Sequence, residues 1–226
     1  MRPLIIMNGE KIDWFHTVIR MLMYLAGVAV LALGMSLQTA SGLGVAALTC
    51  FATTLSMLTG KTLGFWITAA YVAYIVAQLA ILRSEFQPRI LLELCFSTLI
   101  GGFTDFFMAV NPLHPTVLPI QVETMLLSLA VTAFGVSLVV NMGVVPNAPD
   151  GLVQVIAEKI KRRFGDVKVV FDCSHVAVSL VLSLALMHNL GGFGVTTAIS
   201  ALFLGHVINI ANKLFAQRFV RAAFGK

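Results

Sequence analysis

Apolar residues in this chain gather into long runs parted by short polar breaks, at 18–40, 62–82, 90–110, 117–142, 167–187 and 194–215. Each run has about the 20 residues a helix needs to cross a hydrocarbon core. The first is longer than the apolar stretch of a secretion signal and reads as a retained span. Two segments do not fit the pattern. Residues 44–59 are uncharged but amount to only about sixteen residues, too few to cross. Residues 152–164 place Leu152, Val155, Ile156, Ile160 and Phe164 on one helical face and Glu158, Lys159, Arg162 and Arg163 largely on the other. That amphipathic pattern predicts a short helix on the inner leaflet, its basic side against anionic headgroups. The alternative is a gate that rocks on Pro146 and Gly151.

Between the fourth run and the amphipathic segment lies Gly143-Val-Val-Pro-Asn-Ala-Pro-Asp-Gly151. Pro146 and Pro149 remove backbone donors and the flanking glycines permit tight turns, so helix cannot run through it. Asp150 is placed to cap the following helix. A similar elbow, Ser41-Gly42-Leu43-Gly44, follows the first run. The likeness extends along the chain. Gly34, Ser36 and Leu37 match Gly135, Ser137 and Leu138; Gly42 matches Gly143; Gly101 matches Gly205; and Asp105 falls opposite Asn209. Each half reads as long span, elbow, short helix, span, span. With three crossings in each half the two must run antiparallel, an inverted repeat. The expected architecture is therefore an all-α integral membrane protein. It has six transmembrane helices, two short non-spanning helices and two inverted three-span repeats. The divisions are a segment 1–17, repeats 18–115 and 116–217, and a tail 218–226.

Composition agrees with lipid as the solvent. Of 226 residues 58% are hydrophobic and 11% charged, and mean hydropathy is +0.94. The net charge of +5 and isoelectric point near 9.4 do not indicate nucleic acid, because the basic residues lie in loops and tails. Arg2, Lys11, Arg83, Arg89, the group Lys159, Lys161, Arg162, Arg163 and Lys168, and the tail residues Arg218, Arg221 and Lys226 fall on one side of a six-span topology, with Lys61 on the other. This bias puts both termini in the cytoplasm. An eight-span alternative would draw the charged helix into lipid, at about 2.5–3.5 kcal/mol per central charge. Cys50, Cys95 and Cys173 have no metal-ligand or disulfide spacing, and no cofactor or metal is expected.

Ionisable residues within spans are where chemistry is expected, since a charge in hydrocarbon is costly without a partner or a pathway. Asp105 and Asn209 are equivalent in the repeat, and His206 lies one turn from Asn209. Glu123 opens the span after Asp105. These four are expected to line a polar cavity, with Asn141 and Pro146 also contacting solute and Asp150 closing it from inside. The rival reading leaves Asp105 and Glu123 solvated among outer headgroups. Asp172 and His175, at i and i+3, form a candidate proton relay. The plainer role for Glu93 and Asp172 is an interfacial ion pair with Arg89 or Lys168. Gln38, Gln78 and Asn141 suit hydrogen bonds between helices.

Gly143-x-x-Pro146-x-x-x-Asp150-Gly151-Leu152, the Phe164-Gly165 break, Asp172, and Gly191-Gly192-x-Gly194-x-Thr196-Thr197 followed by Gly205 resemble the YitT/YczE family of bacterial membrane proteins. The first half departs from that pattern, with Val45-Ala46-Ala47 where the family tends to have Pro and Asp. The resemblance implies the bacterial cytoplasmic membrane as location and a multi-pass fold. The functions in competition are a secondary transporter or facilitator of a small solute, a membrane accessory protein without flux of its own, and an intramembrane enzyme. The last lacks HExxH, GxSx with a paired His, or a Cys/His metal set, so no enzymatic activity is expected. Membrane lipid, anionic on the inner side, is the expected partner, with a homo-oligomer left open.

Overall fold

The computed structural model describes residues 14–83, 88–145, 147–188 and 192–224. Helix is the secondary structure of the described residues, with no strand among them: α1 (Trp14–Ser41), α2 (Ala47–Thr59), α3 (Leu63–Leu82), α4 (Leu92–Val110), α5 (Leu118–Met142), α6 (Ala148–Lys159), α7 (Phe164–Leu182) and α8 (Val195–Phe224). Six of these are long and apolar enough to cross a membrane, and α7 continues to Met187 through one π turn. The chain is a multi-pass helical membrane protein, and the expected division into long and short helices holds. Segments 1–13, with Arg2 and Lys11, and the elbow residue Pro146 lie outside the described residues.

At the centre α1 and α5 pack antiparallel along their length. Two glycines make this approach possible. A Cβ on Gly34 would fall 2.8 Å from the Thr132 backbone nitrogen, and one on Gly135 would fall 2.5 Å from that of Leu31. Between helices in lipid the gain is van der Waals contact, which small residues maximise. α4 packs on α1 and α3, α8 on α5 and α1. The short helices cross over: α2 packs on α7 and α3, α6 on α3 and α7. Tyr24, Val28, Ile67, Phe96, Ile100 and Met142 are buried among these helices, while Val76, Leu126, Val170 and Leu202 point outward as lipid-facing surface would.

Helix ends follow their sequence signals. Thr62 caps α3 by accepting from the Phe65 amide at 3.2 Å. α2 and α5 stop at left-handed glycines, Gly60 (φ 68°) and Gly143 (φ 55°). Arg20 of α1 donates to the Met142 and Gly143 carbonyls at 2.6 and 2.7 Å, so a cation sits on the negative end of the α5 dipole.

Three expectations about elements are corrected. α6 begins at Ala148, so Asn147 occupies the N-cap position and Asp150 lies inside the first turn. Pro at the start of a helix is tolerated because its missing N–H has no intrahelical acceptor. Nor does α6 rest on a surface. Ala148, Pro149, Gly151, Leu152, Val153, Val155 and Ala157 are buried where α6 packs on α3 and α7, so of the face read as lipid-seeking Leu152 and Val155 are covered while Ile160 and Phe164 stay exposed. Finally, α8 does not stop near 215 but continues as helix to Phe224.

Candidate functional site

The N-terminus of α6 enters the bundle where α3, α4 and α7 present polar side chains. On α3, Tyr71, Tyr74 and Gln78 share one face by their three- and four-residue spacing, and on α7 so do Lys168, Phe171, Asp172 and His175. α4 contributes Glu93. Gly151 is the residue that allows this meeting: a Cβ there would come within 3.0 Å of both Gln78 Oε1 and Glu93 Oε1.

Two polar groups result. In the deeper one, Gln78 and Glu93 are each about 1% exposed, and Gln78 Nε2 donates to Glu93 Oε2 at 2.8 Å and to the Ala148 carbonyl at 3.2 Å. In the other, Lys168 Nζ bridges Asp150 Oδ1 at 3.0 Å and Asp172 Oδ1 at 3.1 Å. The side chains of Lys168, Asp150 and Asp172 are 22, 42 and 29% exposed, but Lys168 Nζ and Asp172 Oδ1 are themselves buried, so Asp150 is the most accessible member of the triad. Two carboxylates around one ammonium leave one negative charge in excess. Asn147 places a buried Oδ1 beside the same helix start without a hydrogen-bond partner. Charges on or beside membrane-spanning helices are costly and persist where paired or used.

His175 closes the cluster on the α3 side. Its Nδ1 lies 2.8 Å from the Phe171 carbonyl and its Nε2 2.6 Å from the Tyr74 hydroxyl. A carbonyl only accepts, so Nδ1 carries the proton, and in the neutral ring Nε2 accepts from Tyr74. Phe51, Tyr74 and Phe171 surround the imidazole, Phe171 at 4.3 Å between ring centroids.

Around α2 the polar contacts among the described residues are uncharged. Cys50 Sγ lies 3.1 Å from Ser179 Oγ, and Thr54 Oγ1 lies 2.7 Å from Ser179 and 3.2 Å from Ser183. The first elbow is fastened to the start of α8: Val45 N–H donates to Gly192 O at 3.1 Å and Thr196 N–H to Leu43 O at 2.9 Å.

The expected cavity does not assemble. Asp105 caps α3, accepting from the Thr62 hydroxyl and the Gly64 amide, both at 2.7 Å. Glu123 is exposed on α5, and His206 and Asn209 are exposed on α8. Asp105 and Asn209 fail to meet because α4 and α8 flank the central pair without extended contact with one another. Asn141 bonds Asn212 Oδ1 at 2.9 Å, together with Ser137, and so fastens α5 to α8. Asp172 and His175 do not form the proposed relay, because Lys168 takes the carboxylate while Tyr74 and a backbone carbonyl take both ring nitrogens. Of the expected site, Asp150, Asp172 and His175 lie in one cluster, and the Asp172–Lys168 pair is seen as read. Sequence inspection did not reveal the bridge from Lys168 to Asp150, nor the burial of Glu93 against Gln78. The one available signal was a polar or charged residue on each of three apolar segments.

Fold and site together define a polytopic helical membrane protein with an ionic cluster at the mouth of a broken element. The chain belongs to a family of unknown function (DUF6198), matched over residues 18–213. No curated protein and no solved structure matches it.

Proposed function

We propose that this protein is a secondary transporter or facilitator of a small solute, and that Asp150, Lys168 and Asp172 form the solute-facing part of its site. The carrying observation is that triad, partly accessible, at the buried N-terminus of a short non-spanning helix. Such helix ends supply partial charges to solutes at mid-membrane in transporters built from inverted repeats. Asp150 in the first turn already answers the positive end of α6, so the excess negative charge of the triad favours a cationic solute, or a proton that moves with one.

The inverted-repeat reading has support in residue pairs. Gly34 against Thr132 and Gly135 against Leu31 are one contact seen twice under the alignment. Tyr74 and His175 are equivalent positions and touch each other, as residues beside a pseudo-twofold axis do. Gln78 meets Gly151 as Ser179 meets Cys50. The basic bias favours cytoplasmic termini, and the YitT/YczE resemblance favours a bacterial cytoplasmic membrane. Exposed Ile160 and Phe164 beside Lys161, Arg162 and Arg163 suit an anionic leaflet.

The test is solute-induced current or uptake in vesicles holding purified protein, across panels of cationic, zwitterionic and anionic solutes. A response to at least one panel, lowered about tenfold or more by Asp172→Asn and by Asp150→Asn, is expected. The accessory-protein reading draws on the dispersal of Asp105, Glu123, His206 and Asn209. Silence across all panels from folded protein would favour it.

A further inference from the structure

One end of the bundle is closed where its repeat-related counterpart is open. At the closed end α3 and α4 pack together, and a Cβ on Gly101 would fall 2.6 Å from the Gly64 carbonyl oxygen. Thr68 Oγ1 donates to Ser97 O at 3.0 Å, and Asp105 on α4 accepts from the Gly64 amide at 2.7 Å. Under the repeat alignment Gly64 corresponds to Gly165, Gly101 to Gly205 and Asp105 to Asn209. These three are exposed, nothing lies within 4 Å of a Cβ at either glycine, and α7 begins without a side-chain cap. α7 and α8 make no extended contact, although both pack on α2.

We propose that the protein has a second conformation in which α7 closes on α8, Gly165 meets Gly205, and the Asn209 side-chain oxygen accepts from the Gly165 amide. The closed end shows that this helix pair fits when both partners carry glycine at the contact. An acceptor on Asn209 would satisfy an α7 amide that has no intrahelical acceptor. An amide side chain exposed on a span gains by finding a partner. Lys168 and Asp172 lie one and two turns beyond Gly165 on α7, so closure would carry them toward α8 and shut the accessible side of the triad. Opening of α3 from α4 at the other end would complete an exchange of access. The inference rests on the inverted-repeat reading above, and its readout needs no solute.

The experiment is disulfide trapping of a Val169→Cys/Ala201→Cys pair in vesicles, at the positions that correspond to Thr68 and Ser97 of the closed end, so that Gly165 and Gly205 are kept, with Cys50, Cys95 and Cys173 replaced by Ala. A fraction of molecules should cross-link. Gly64→Leu, which forces α3 from α4, should raise the yield about threefold or more, and Asn209→Ala should lower it by a similar factor. If Gly64→Leu does not fold, Asp105→Ala replaces it, since it removes a cap and leaves the packing glycines. Cross-link yields unmoved by Asp105→Ala and Asn209→Ala in monodisperse protein, or no cross-link in any variant, would overturn the proposal. Cross-link exchange without flux would retain this inference and remove the transport reading; flux without exchange would do the reverse.

Discussion

Asp105 on α4 reaches across to the start of α3. It satisfies the Thr62 hydroxyl and an α3 first-turn amide, and places negative charge at the positive end of the α3 dipole. Asp105→Ala should therefore destabilise the protein by about 1–2 kcal/mol, read as a lower thermal midpoint in detergent. A midpoint equal to wild type would show that the cap contributes nothing. Lys168 is the opposite case. Lys168→Met leaves Asp150 and Asp172 facing each other without a counter-charge, whereas the triple change with Asp150→Asn and Asp172→Asn leaves no charge at all. The single variant should be the less stable of the two, because breaking a buried pair costs more than replacing it. The reverse order in unfolding experiments would show that the triad is solvated enough to ignore the imbalance.

At the scale of elements, glycine placement decides which helices touch. Gly101 and Gly102 are neighbours on α4 with opposite surroundings. A Cβ at 101 meets the Thr68 hydroxyl and the Gly64 carbonyl, while at 102 nothing lies within 4 Å. Gly101→Ala should cost about 1–3 kcal/mol through overpacking. Gly102→Ala should cost nothing and gain up to about 1 kcal/mol from helix propensity. Thermal unfolding of the two variants side by side checks this, and equal midpoints would remove the close α3–α4 contact. α6 depends on the same principle, since Gly151 brings its backbone against Gln78 and Glu93.

For the molecule as a whole, the basic residues set the expected orientation. Arg162 and His114 are both exposed, on loops that six spans put on opposite sides. With native cysteines replaced, a membrane-impermeant thiol reagent outside intact cells should label His114→Cys and leave Arg162→Cys unreacted. Equal labelling would abolish the six-span topology, and the opposite pattern would reverse it. The same map separates the open end of the molecule, near Gly165 and Gly205, from the closed end near Gly64 and Gly101.

The sequence by itself determined the class, the number of spans and which two helices are too short to cross. Those properties follow from the length and polarity of local runs measured against the thickness of hydrocarbon. It also marked the stop of α5 at Gly143, which acts through its own backbone, but not the start of α6 or the end of α8. Only tertiary structure decided that α6 is buried between α3 and α7, since an apolar stripe fits a leaflet or a neighbouring helix equally well. Only tertiary structure joined Asp150 to Lys168 and Glu93 to Gln78, pairs drawn from different helices. The expectation for Asp105 and Asn209 failed for the same physical reason. Repeat equivalence relates two positions by symmetry without bringing them into contact unless both lie near the axis, as Tyr74 and His175 do under that reading.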